Sequence, residues 1–136
     1  MYTWQALVSP KLYRLFFYIA LIGTLYLMFN VPSQIAASGW INDKVAHFIT
    51  FFFLTLFLSR GLPKWYGWKA LLALSIFGLV IELIQFALPW RSLSLADWIA
   101  DIAGVLGYHI LHMIREKLVT VKRTANRSNS DVSGED

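Results

Sequence analysis

The sequence predicts an all-α membrane protein, a four-helix transmembrane bundle with N and C termini cytoplasmic. Three observations carry this: an apolar composition, four long apolar runs, and tryptophans and prolines confined to the ends of those runs. Residues A, V, I, L, M, F, W, Y and C make up 57% of 136 residues, and charged residues only 15%. A soluble domain this small exposes much surface for its volume and needs more polar side chains to cover it. The bilayer is the solvent that accepts such a chain. The length allows one domain, and no repeat is evident.

The runs are about 12–29, 45–62, 68–88 and 97–114, close to the ~20 residues needed to cross a hydrocarbon core. Backbone groups in lipid must bond within their own segment, so each run is expected to be helical. Pro10, Pro32, Pro63 and Pro89 fall just outside the runs or at their ends, where proline disturbs a helix least. Trp4, Trp40, Trp65, Trp68, Trp90 and Trp98 fall in the same places, as interfacial belt residues do. The first run, with Ala36–Ala37–Ser38 downstream, has the outline of a signal sequence. Its apolar stretch exceeds the ~7–15 residues of a cleaved signal's core, so an uncleaved signal-anchor is expected.

Orientation follows from lysine and arginine. Lys11, Arg14, Arg60, Lys64, Lys69, Arg115, Lys117, Lys122, Arg123 and Arg127 fall on one side, ten of the twelve basic residues; Lys44 and Arg91 fall on the other. The termini and the 61–67 loop are therefore expected in the cytoplasm, and the 30–44 and 89–96 loops outside. The cell location implied is the cytoplasmic (inner) membrane, multi-pass. A bundle domain is expected over 1–119. The tail 120–136, rich in Ser, Asn and charge, is expected to be disordered. The net charge of +4 is explained by topology and by a tail able to rest on anionic headgroups, so no nucleic-acid partner is expected. The chain has no cysteine, which excludes disulfides, thiolate metal sites and cysteine nucleophiles.

Ionisable residues within such helices are costly and informative. DKVAH sets Asp43 and His47 four apart on one helical face, with Lys44 beside them. ELIQ sets Glu82 and Gln85 three apart on the third helix, and Arg91 follows in the next loop. DWIADIAG puts Asp97, Asp101 and Gly104 on one stripe of the fourth. At ~1.5 Å per residue, His47 and Asp101 lie about 6 Å inward of Asp43 and Asp97, and Glu82 lies about 9 Å inward of Leu88. The helices alternate in direction, so these side chains form one layer beneath the outer surface. The inner half holds almost nothing comparable; His109 and His112 are expected as interfacial polar residues without a role. Ala96, Ala100 and Gly104, and likewise Ala103 and Gly107, form small-residue faces that let helices approach closely and permit a homo-oligomer.

The ordered elements DKxxH, ExxQ, R and DxxxDxxG resemble the VanZ-like membrane proteins from about Asn42 to Tyr108. The matching positions are Asp43, Lys44, His47, Glu82, Gln85, Arg91, Asp97 and Gly104, and Asp101 stands where the family usually has Asn. The resemblance implies a bacterial cytoplasmic-membrane protein of the cell envelope. The family's namesake is associated with low-level resistance to the antibiotic teicoplanin, without an established reaction.

Two classes of function remain open: an enzyme acting on lipid or lipid-linked envelope precursors, and a non-enzymatic binding or structural site. In the enzyme reading His47 and Glu82 are general acid/base candidates, Asp97 orients or assists, and Lys44 and Arg91 attract anion. Asp43, Gln85 and Asp101 are binding candidates. Asp43, one turn from His47, is positioned to set its tautomer. His47, Glu82, Asp97 and Asp101 would suit a hard cation. They lack the tight spacing of a metal motif, so no metal or other cofactor is expected.

Overall fold

The computed structural model describes residues 9–30, 43–89 and 94–132. Their regular structure is helical: α1 spans Pro10–Asn30, α2 Asp43–Gly61, α3 Trp68–Phe86 and α4 Leu95–Val132, with a short 3-10 turn at Pro63–Trp65. The expected helices are present, with boundaries shifted by a few residues except at the end of α4.

Local chemistry explains where each helix begins. Pro10 opens α1 at a position whose N–H would have no helical partner, and the Leu12 amide donates to Ser9 Oγ at 3.3 Å. Ser94 does the same for α4, accepting the Asp97 amide at 3.3 Å. Between the 3-10 turn and α3 the chain turns at Gly67, whose φ of 70° needs a residue without a Cβ. At the other end of α2, the Arg14 guanidinium donates to the Gly61 carbonyl from Nε and Nη2, at 3.4 and 3.3 Å. A cation there complements the negative end of the helix.

α2 is the central helix, packed most extensively on α4 and next on α1, with α3 completing the bundle against α4. Phe51, Leu54 and Leu58 of α2 form the core with Phe17, Ala70, Leu74, Ile81 and Val105. Within the run of three phenylalanines, Phe51 is fully buried, Phe52 half-buried and Phe53 exposed. The buried Thr55 hydroxyl donates to the Phe51 carbonyl at 2.6 Å, so it costs the core no unmade hydrogen bond.

The outward surface is largely apolar on α1, α2 and α3, and on α4 as far as Ile114. Ile22, Leu83, Phe86, Ile99 and Leu111 each expose more than half of their surface. Soluble monomers rarely leave such continuous apolar faces to water. Among the described residues, Asp43–Gly61 and Trp68–Phe86 are long and apolar enough to cross a membrane.

The tail departs from expectation. α4 does not end near Ile114 but continues to Val132, so most of the segment expected to be disordered is helical. Residues 115–132 contain no proline or glycine, and many are good helix formers. Among the residues whose burial is described, 120–127 are exposed, so this stretch has no core of its own. Composition misjudges the backbone, which can remain helical by extending an already nucleated helix.

Candidate functional site

The first two turns of α2 and of α4, with the last turns of α3, assemble the polar layer. Asp43 lies in the first turn of α2 and Asp97 in the first turn of α4. Each carboxylate therefore meets the positive end of its helix. His47 and Asp101 follow one turn further in.

Glycine makes the meeting of these two helices possible. A Cβ on Gly104 would lie 2.3 Å from the Phe48 carbonyl oxygen and 3.0 Å from the Phe52 nitrogen. The backbones of α2 and α4 thus touch at Gly104, one turn from Asp101 and beside His47. A Cβ on Gly78 of α3 would lie 2.6 Å from Asp101 Oδ2. Two glycines therefore admit the Asp101 carboxylate between three helices.

The resulting contacts are specific. His47 Nδ1 and Asp101 Oδ1 are 2.9 Å apart, with side chains 4% and 1% exposed. Lys44 Nζ donates to Asp97 Oδ1 at 3.2 Å, joining a largely buried carboxylate to a half-exposed ammonium. Ligand atoms of Asp43, His47 and Asp97 lie within 4.8 Å of one another. Since Asp101 holds Nδ1, the His47 nitrogen left to face a substrate or cation is Nε2. The partner that orients His47 is Asp101 from another helix, not Asp43 from the preceding turn.

Glu82 and Gln85, both 2% exposed, occupy the α3 side of the layer. Glu82 Oε2 accepts the Ser94 backbone amide at 3.0 Å, so this acid positions the entry to α4. Trp98 ties the same turn to α3 by donating from Nε1 to the Ser75 carbonyl at 3.0 Å. The cation grouping suggested by sequence, with Glu82 and Asp101, is replaced by Asp43, His47 and Asp97. Arg91 lies outside the described residues.

The opposite end of the bundle is more polar than the depth count implied. Tyr66 and His112 join there at 3.2 Å between the hydroxyl and Nδ1, and Tyr108 packs edge-on to Phe52 with ring centres 5.9 Å apart. Buried Ser59 belongs to the same region. The visible signals in the sequence were Tyr108 and His112 four apart on α4, and Ser59 beside Arg60. Serine and tyrosine are too common at helix ends to stand out without their neighbours.

Chemically, the polar layer offers a buried imidazole–carboxylate pair and two further carboxylates at helix N-termini. That set can move a proton or hold a cation. No curated protein and no solved structure matches the chain. The VanZ/LLP1 family model matches residues 3–115, nearly the whole bundle and all eight positions of the sequence resemblance. With a match of that extent, on a helical chain with two apolar spans, the protein belongs to the VanZ/LLP1 family of membrane proteins.

Proposed function

We propose that this protein is a multi-pass protein of the cytoplasmic membrane, with both termini inside, whose outer-face polar layer performs acid–base chemistry on a lipid or lipid-linked envelope component. The observation that carries the reading is the buried His47–Asp101 pair at 2.9 Å, set beside Asp97 and Asp43. A buried pair of this kind is expensive to maintain in a membrane protein, and such residues commonly mark functional sites. Asp101 would hold the imidazole in one tautomer and stabilise its charged form, leaving Nε2 to take or give a proton. Lys44, half-exposed beside Asp97, would draw in an anionic group. Glu82 would keep the α4 entrance in place.

The orientation rests on the bias of ten basic residues to one side against two. It puts the layer where lipid-linked wall precursors are exposed, consistent with the family's association with resistance to a glycopeptide that acts there.

The test compares lipids and wall precursors from cells producing wild-type protein with those producing His47→Gln or Asp101→Asn at matched levels. Both variants are expected to reproduce the lipid profile of cells lacking the protein. Wild-type profiles in both variants would overturn the acid–base role. Purified protein that retains a stoichiometric, unmodified lipid without turnover would favour a binding role instead.

The grouping of Asp43, His47 and Asp97 within 4.8 Å supports a second reading, a divalent-cation site oriented by Asp101. Elemental analysis of purified protein, with Asp43→Asn as comparison, separates the two. Stoichiometric metal lost in the variant supports the cation, and metal-free active protein removes it.

A further inference from the structure

Ser59 and Tyr108 are buried, 7% and 4% exposed. Among the described residues, neither Ser59 Oγ nor the Tyr108 hydroxyl has a hydrogen-bond partner. Polar groups withdrawn from water are almost always partnered, because leaving the bond unmade is costly. Both line a pocket of about 430 Å³ at the end of the bundle away from the His47–Asp101 pair, together with Tyr13, Arg60, Tyr66 and His112.

The lining chemistry favours donors. Arg60 contributes a guanidinium, and among the described residues that line the pocket none is a carboxylate. Tyr66 stays neutral, because burial raises its pKa and Tyr108 and Glu116 reinforce the effect. Its hydroxyl can therefore donate to His112 Nδ1 across their 3.2 Å contact. In that tautomer His112 carries its proton on Nε2 and is itself a donor. The Gly61 carbonyl, which would repel an anion, is engaged by Arg14.

The surroundings place this donor set at an interface. Trp65 and Trp68 are 48% and 69% exposed nearby in sequence, and Lys69 lies 5.9 Å over the Trp68 ring. Exposed tryptophans and lysines at the ends of apolar spans sit at the headgroup level.

We propose that this pocket binds the anionic phosphate headgroup of a membrane lipid, with Ser59, Tyr108 and Arg60 as its ligands. It is separate from the outer-face layer and does not depend on the function proposed there. A forked guanidinium and fixed hydroxyls suit phosphate oxygens, and the tyrosine and proline walls accept the glycerol and upper acyl carbons.

The experiment is native mass spectrometry of delipidated full-length protein in detergent, titrated with short-chain phosphatidylglycerol, short-chain phosphatidylcholine and inorganic phosphate. Saturable binding of phosphatidylglycerol is expected, weaker for the zwitterionic lipid and weaker still for inorganic phosphate. Ser59→Ala and Tyr108→Phe should each weaken it about tenfold, the scale of a lost hydrogen bond to a charged group. Arg60→Gln should remove the preference for the anionic lipid. Gly23→Ala, whose added methyl meets nothing within 4 Å, should bind as wild type does. Tyr108→Phe should melt no lower than wild type, since it deletes a buried hydroxyl that holds nothing together. Wild-type affinity in all three pocket variants overturns the site. Equal affinity for inorganic phosphate overturns the lipid and leaves a free-phosphate site.

Discussion

Asp101 reaches His47 across two helices, 2.9 Å between Oδ1 and Nδ1, while its Oδ2 faces the backbone of Gly78 on a third. One carboxylate thereby links α2, α3 and α4. Because residue 101 is an acid, the partner it offers His47 is a carboxylate rather than a neutral group.

Removing that carboxylate should separate folding from function. Asp101→Asn keeps a group that can bond His47 Nδ1 and should accumulate with a melting temperature near wild type. Asp101→Leu leaves a buried imidazole without its partner and should cost about 1–3 kcal/mol. Thermal unfolding in detergent checks the stabilities. Equal melting temperatures for Asn and Leu would mean that the pair contributes nothing to the fold.

Gly104 should be intolerant of any side chain. A Cβ 2.3 Å from the Phe48 carbonyl would meet backbone that cannot swing aside. Gly104→Ala is expected to lose about 1–3 kcal/mol, as overpacked cores do. Gly107→Ala should cost less, because its nearest neighbour is the edge of the Phe48 ring at 3.1 Å. Gly23→Ala meets nothing within 4 Å and should be neutral or stabilising by about 0.5–1 kcal/mol. The order of the three melting temperatures tests whether α2 and α4 really touch.

The Lys44–Asp97 pair should matter little to stability. With Lys44 half in solvent, its replacement by Gln should change stability by less than about 1 kcal/mol. A much larger loss, read by chemical denaturation in detergent, would mean that Asp97 depends on this lysine to remain charged in its buried position.

Topology has a direct assay, because the chain has no cysteine of its own. Lys64→Cys and Pro89→Cys lie at exposed positions at opposite ends of α3. A membrane-impermeant maleimide should label Pro89→Cys on intact cells and Lys64→Cys only after the membrane is opened. The reverse pattern would put the polar layer inside the cell.

Much of the layout was readable along the chain. Helix existence follows from the requirement that backbone groups in an apolar solvent bond locally, so the four apolar runs, with prolines such as Pro10 and Pro63 at their edges, sufficed to locate the helices. The layer holding His47, Glu82, Asp97 and Asp101 followed from rise per residue alone. The length of α4 did not, because exposure of Lys122 and Arg127 to solvent is compatible with either helix or coil.

The chain's pattern alone specified the helical class, four apolar runs and the residues whose burial would need explanation, whereas among the described residues two of the four helices pass as long and apolar enough to span. Only the tertiary structure decided the partners of those buried residues. Asp43 is one turn from His47 in sequence, yet Asp101, 54 residues away, holds its Nδ1. Glu82 Oε2, on α3, accepts the backbone amide of Ser94 at the entry to α4. The physical reason is that helical periodicity specifies which face a side chain occupies, whereas contact between helices depends on how closely their backbones approach. That distance is set at Gly104 and Gly78, where the missing Cβ atoms bring α2 and α4 together and admit the Asp101 carboxylate.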